Sequence, residues 1–213
     1  MRIKVCGMTS AEQVLQLDEM GVEFAGFIFY RSSPRYVFKH MSRSDIKKIK
    51  GKGINKVGVF VNAPIEEVLA TVDDCGLYLV QLHGDETAKY CEKIADYVTV
   101  VKAFRLREDD NVCWKVKDYQ DIADMFLFDT EGACYGGTGR KFDWKMLQGL
   151  SIDKPFFLSG GIESGDNDKL KEFIKDPVAK DLFSIDVNSK FETSPGVKNM
   201  DKLREFVQKI KQI

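Results

Sequence analysis

Phe156-Phe157-Leu158-Ser159-Gly160-Gly161-Ile162 and Leu182-Phe183-Ser184-Ile185-Asp186-Val187-Asn188-Ser189 share one design: an apolar run that turns polar where it ends. Runs this short, closed by Ser, Gly or Asn, read as strands buried on both faces. Working back along the chain, six more such runs occupy residues 3–6, 24–29, 57–61, 78–82, 98–104 and 125–128. Their starts lie roughly 20 to 33 residues apart, the length of one strand, one helix and two short loops.

Helical patterns fill the gaps. Residues 10–20 open on a Ser N-cap and stop at Gly21, and residues 64–75 open on Pro64 and stop near Gly76. Residues 85–95 and 201–213 repeat apolar positions at helical spacing, and weaker patterns cover residues 42–50, 107–120 and 166–175. A further helix is expected to start near Phe142. Eight strands alternating with helices imply an all-parallel sheet. Eight units in 213 residues fit an α/β, single-domain (β/α)8 TIM barrel over residues 1–213 better than an open doubly wound sheet.

Composition removes several function classes. Lys and Arg total 32 against 33 Asp and Glu, for a net charge of −1, so there is no electrostatic footprint for nucleic acid or an anionic membrane. No stretch approaches the ~18 apolar residues of a bilayer span, and Gly7 interrupts the N-terminus before a signal-peptide core could form. Five scattered Cys without a CxxC pair, and only two His, leave few ligands for a metal. The expectation is a soluble cytoplasmic protein, monomer or homodimer, with no metal and no cofactor.

In such a barrel the functional groups sit at the carboxyl ends of the strands. Polar residues collect there: Lys4 and Cys6 on one face of the first strand, Gln81 and His83 on the fourth, Lys102 on the fifth, Asp129 on the sixth, Ser159 on the seventh, and Ser184 and Asp186 on the eighth. Gly160-Gly161 and Asn188-Ser189 follow strands seven and eight, where barrels frequently hold a phosphate. Gly136-Gly137-Thr138-Gly139-Arg140-Lys141 does not fit a nucleotide phosphate loop and reads instead as a lid over Asp129.

Lys4-Val5-Cys6-Gly7-Met8-Thr9, Val80-Gln81-Leu82-His83-Gly84-Asp85, and Gly136-Gly137-Thr138-Gly139 with Phe142-Asp143-Trp144 together resemble phosphoribosylanthranilate isomerases. The likeness extends through Ser32-Ser33-Pro34-Arg35 and Leu158-Ser159-Gly160-Gly161-Ile162 to Asp186-Val187, Glu192 and Pro195-Gly196-Val197-Lys198. It implies a (β/α)8 enzyme of tryptophan biosynthesis that performs an Amadori rearrangement of a small phosphosugar. By that resemblance Cys6 is the general base and Asp129 the general acid. Arg35 meets the anthranilate carboxylate, His83 and Asp186 line the site, and Gly160, Gly161, Asn188 and Ser189 take the phosphate. Lys190 stands where the family commonly has Gly.

The chemistry adds two expectations. A thiol acting as base near neutral pH wants a cation to lower its pKa, and Lys4 is the candidate. Asp129 must hold a proton, which burial or a neighbouring negative charge would favour, and the phosphate or carboxylate of a bound substrate could supply that charge. With those values kcat/KM should rise through a thiol-like pKa. A carboxylate-dependent sugar isomerase is disfavoured by Cys6, and an inactive binding barrel by the presence of both Cys6 and Asp129.

Overall fold

The computed structural model describes residues 1–130 and 143–213. Eight strands follow in chain order: β1 Arg2–Cys6, β2 Phe24–Ile28, β3 Asn55–Phe60, β4 Leu79–Leu82, β5 Thr99–Leu106, β6 Met125–Thr130, β7 Phe156–Leu158 and β8 Leu182–Val187. Each pairs in parallel with the next, and β1 pairs with β8 through Arg2 opposite Ser184 and Lys4 opposite Asp186, which closes the barrel. All eight strands read from the sequence are present.

The helices start where the sequence supplies caps. Ser10 accepts from the Gln13 amide ahead of α1 (Ala11–Glu19), and Ser42 forms a capping box with Asp45 on α2 (Arg43–Lys48). Pro64 precedes α3 (Ile65–Cys75), which ends at Gly76 with φ 62°, a left-handed cap that a residue without Cβ adopts at little cost. Thr87 caps α4 (Ala88–Ala95), and Asn111 caps the short α5 (Val112–Val116). After α6 (Asn167–Phe173) the chain ends in α7 (Met200–Ile210), capped by Asn199. The helix expected near Phe142 is instead one 3-10 turn, Trp144–Leu147, whose Trp144 packs edge-on against Phe173. Among the described residues, no helix is long and apolar enough to cross a membrane.

Strand alternation divides the core in two. Ile3, Val5, Phe126, Phe128 and Ile185 face outward into one large cluster with helix residues such as Val14, Leu17, Val68 and Phe206. Phe24, Val57, Leu79, Val101, Ala103, Leu127 and Phe157 form a second cluster made of strand residues alone, which is the barrel interior. Nearer the carboxyl ends that interior becomes polar, with Lys4, Gln81, Ser184, His83 and Asp186 all buried. An apolar plug thus closes the lower barrel and leaves the functional groups at one mouth. Lys102 does not join them. Its neighbours Val101 and Ala103 point inward, so Lys102 points out and donates to Leu82 O, Gly84 O and Glu86 Oε2 beneath the chain that leads to α4.

Candidate active site

Lys4 and Cys6 both face inward on β1. The Lys4 ammonium is fully buried and donates to Asp186 Oδ2 at 2.9 Å. The Cys6 thiol has room because β2 passes it with a glycine: a Cβ on Gly26 would lie 2.9 Å from Cys6 Sγ and 3.1 Å from Cys6 Cα. Gly26→Ala is therefore expected to shift β1 and the thiol together. Over-packing of this kind costs about 1–3 kcal/mol, and a displaced reactive atom costs on the order of 10²-fold in kcat. Thermal melting and steady-state kinetics on the variant check both effects.

The Cys6 expectation is corrected, and for Asp129 burial alone does not supply the expected rise. Burial pushes the Cys6 thiol up and outweighs the downward pull of Lys4, with Asp186 adding to the upward push, so Cys6 stands above the ordinary thiol value. Lys4 is where the sequence suggested, yet its charge is already shared with Asp186. Burial also acts upward on Asp129, but the His83 contact, the Thr130 amide and the Ser159 hydroxyl outweigh it and hold Asp129 below the usual carboxylate value. The free site therefore keeps a proton on Cys6 and not on Asp129. Burial raises Asp186, and Lys4 only partly offsets the rise.

His83 lies between β4 and β6. Its Nε2 is 3.3 Å from Asp129 Oδ2, an ion-pair distance without hydrogen-bond alignment, and its Nδ1 is 2.6 Å from Gln81 Nε2. Asp129 Oδ1 accepts from the Thr130 amide at 2.8 Å. Three buried polar atoms around this mouth have no hydrogen-bond partner among the described residues: Gln81 Oε1, His83 Nε2 and Asp186 Oδ1. Unpaired groups of that kind are costly in a core and are characteristic of a site that awaits a ligand.

Arg35 arrives on the segment after β2, its backbone N–H donating to Ser33 Oγ. Its guanidinium grips Glu192, with Nε at 2.9 and 3.0 Å and Nη2 at 2.6 Å. Lys198 Nζ bridges Glu192 Oε1 at 2.7 Å and Asn188 Oδ1 at 2.8 Å. Burial pushes Glu192 up, but these two cations prevail and hold it below the usual value. The strands β9 (Glu192–Ser194) and β10 (Val197–Lys198) pair antiparallel with Glu192 opposite Lys198, which creates the contact. Gly7, at φ 77°, lets Arg35 and Asn188 converge, since a Cβ there would stand 2.7 Å from Arg35 Cδ and 2.8 Å from Asn188 Oδ1. Glu192 and Lys198 were not read from the sequence as site residues. The Pro195-Gly196 turn between them was the available signal.

The loops after β7 and β8 present amides. Gly160 and Gly161 take φ 94° and 73°, positions that favour glycine. The N–H groups of Gly160, Gly161, Ser189 and Lys190 donate to no protein acceptor among the described residues. Such a cluster of free amides suits an anion. The Asn188 carboxamide oxygen is taken by Lys198, which leaves its NH2. Lys190 pairs with no carboxylate among the described residues, and its carbonyl accepts from Lys202. Gly136 to Lys141, read as a lid, lies outside the described residues. Among the described residues there is no group of three His, Cys, Asp or Glu able to hold a metal ion.

Comparison with known proteins accords with this geometry. Residues 3–209 match the family model of N-(5'-phosphoribosyl)anthranilate isomerase. The isomerase of that name from Parabacteroides distasonis is 36% identical over 211 residues, which cover 99% of this chain and 93% of the relative. The crystal structure of phosphoribosyl anthranilate isomerase from Thermotoga maritima aligns with TM-score 0.84 and 32% identity, covering 100% of this chain and 99% of that one. A solved isomerase in complex with reduced 1-(o-carboxyphenylamino)-1-deoxyribulose 5-phosphate aligns with TM-score 0.80 and 29% identity over 100% of this chain and 99% of that one.

Proposed function

Because this chain belongs to the N-(5'-phosphoribosyl)anthranilate isomerase family, we propose that Cys6 and Asp129 are the base and the acid of its reaction. The chain converts N-(5'-phosphoribosyl)anthranilate into 1-(2-carboxyphenylamino)-1-deoxyribulose 5-phosphate in tryptophan biosynthesis. The observation that carries the residue assignment is positional. Cys6 ends β1 and Asp129 lies on β6, both inward at the carboxyl ends of one closed barrel, with the free amides of β7 and β8 beside them.

Asp129 gives its proton to the ribose ring oxygen as the C1–O bond breaks, and the nitrogen lone pair closes the Schiff base. Cys6 thiolate then takes the C2 proton, and the C–H electron pair moves to form the enolamine. A proton added at C1 and one lost from the C2 hydroxyl complete the ketone, so composition is unchanged. Arg35 receives the anthranilate carboxylate, Glu192 having fixed the plane of its fork. The amides of Gly160, Gly161 and Ser189 with the Asn188 side chain hold the phosphate, and His83 and Asp186 line the sugar. The phosphate docks next to Ser159, whose hydroxyl contacts Asp129, and its charge pushes Asp129 towards its protonated form.

In the free enzyme the reactive combination, thiolate with carboxylic acid, is a minor form. Between the low pKa of Asp129 and the high pKa of Cys6 its share is constant, because each tenfold loss of protonated Asp129 is matched by a tenfold gain of thiolate. kcat/KM is therefore expected to be flat through neutral pH and to fall at alkaline pH beyond the raised Cys6 value. A profile that rises through neutral pH would contradict this pair of values. The activity itself is tested by following loss of the substrate's fluorescence on adding enzyme; unchanged fluorescence would overturn the reading. We place the enzyme in the cytoplasm, a reading supported by free Cys6, Cys75, Cys91 and Cys113.

A further inference from the structure

Gln81 has no part in the reaction as described, yet it lies beneath one of its residues. Gln81 on β4 and His83, one residue past its end, are two positions apart, and both are buried. Gln81 Nε2 is 2.6 Å from His83 Nδ1. In this orientation of the amide its nitrogen donates and Nδ1 accepts. The one ring N–H then belongs to Nε2, 3.3 Å from Asp129 Oδ2.

We propose that Gln81 is a positioning residue that holds His83 as a neutral imidazole with its single N–H on Nε2, facing Asp129. The alternative orientation of the amide shows what is at stake. Turned over, Gln81 would present Oε1 to Nδ1 and stabilise a proton there, favouring an imidazolium beside Asp129. An imidazolium would lock the carboxylate in its ionised form and remove the acid. A neutral ring keeps its N–H facing Asp129 while leaving the carboxylate able to take a proton when the phosphate arrives. Gln81 Oε1 is buried without a hydrogen-bond partner among the described residues.

Other charges face this pair and are held elsewhere. Asp186 on β8 is tied to Lys4 on β1, and Cys6 lies beside them. Arg105 on β5, level with Asp129, pairs with Asp85, whereas Lys102 on β5 points out of the barrel to Glu86. The Gln81 donor is thus the contact that sets the ring's proton count from below.

The chain has two histidines, and His40 is exposed, so nitrogen-labelled histidine gives two readily separated ring systems, with His40→Gln assigning them. At neutral pH the free wild-type enzyme is expected to show His83 protonated on Nε2 only. Gln81→Glu puts an acceptor against Nδ1 and is expected to give a doubly protonated ring. Its kcat should fall about 10- to 1,000-fold, the counterpart of about 1–3 pKa units at Asp129. KM should change little, and the acid limb should move to lower pH while the alkaline limb stays. A residue that merely fills space would leave that limb alone. A wild-type His83 with N–H on Nδ1, or a Gln81→Glu ring with unchanged protonation, overturns the proposal. If Gln81→Glu fails to fold, Gln81→Met removes the donor at similar length and should give mixed tautomers; a ring still protonated on Nε2 alone refutes the role. The kinetic consequence rests on Asp129 being the acid, whereas the spectrum does not. Full activity in Asp129→Asn would therefore sink the acid assignment and leave the test of Gln81 intact.

Discussion

Cys6→Ser is expected to lower kcat by at least about 10²–10⁴-fold, the usual contribution of a positioned base. The structure gives reasons to expect the upper part of that range. Burial already raises the thiol, with Lys4 resisting, so the thiolate is scarce in the free enzyme. A serine hydroxyl starts far higher and would supply almost no alkoxide near neutral pH. The fold should tolerate the change. Cys6 is at the mouth, is not in a disulfide, and Gly26 leaves the smaller oxygen ample room. KM should hold, because the proposed phosphate and carboxylate receptors lie on the loops after β7 and β8 and on the segment after β2. The alkaline limb of kcat/KM should vanish from any residual activity. Near wild-type kcat with that limb intact would make Asp186 or His83 the base.

Asp129→Asn should be comparably severe, about 10²–10⁴-fold in kcat. The amide preserves the shape of the carboxyl group and can still accept from the Thr130 amide. It cannot hand a proton to the ring oxygen, so ring opening loses its acid while binding persists. The stability effect has a definite sign. A carboxylate held below its unfolded pKa stabilises the folded state above the unfolded value, and the contribution is lost as pH falls through the folded pKa. Asp129→Asn should therefore flatten the acid side of the stability curve as well as lower kcat. A variant that retains kcat and shows only the stability change would reduce Asp129 to a partner of His83.

The fold was legible because parallel barrels write it locally. Each strand is an apolar run closed by a turn residue, and caps such as Ser10, Ser42 and Asn199 mark helix starts in the sequence itself. The region around Phe142 was less legible, since a short apolar stretch containing Trp144 satisfies a 3-10 turn as well as a helix. Spacing of two put Lys4 with Cys6, Gln81 with His83 and Ser184 with Asp186 on shared faces, and Asp129 was read from its strand end; the same rule, applied to Val101 and Ala103, would have turned Lys102 outward. Contacts between distant segments were not readable. Arg35 meets Glu192 only because a hairpin folds Lys198 over it, and Gly7 clears the space. Nor could sequence weigh burial against charge. It named Lys4 as the cation beside Cys6, but the outcome depends on how deep the thiol lies and on Asp186 holding the same ammonium.

The most direct test is one crystal structure of this protein with reduced 1-(o-carboxyphenylamino)-1-deoxyribulose 5-phosphate. Cys6 Sγ is expected within about 3–3.5 Å of C2, the distance of a reactive contact, with Asp129 on the opposite side against the oxygen derived from the ring. The phosphate should lie on the amides of Gly160, Gly161 and Ser189, and the carboxylate on Arg35. A ligand seated with its phosphate away from those amides, or with Cys6 and Asp129 not flanking the same sugar, would contradict that arrangement.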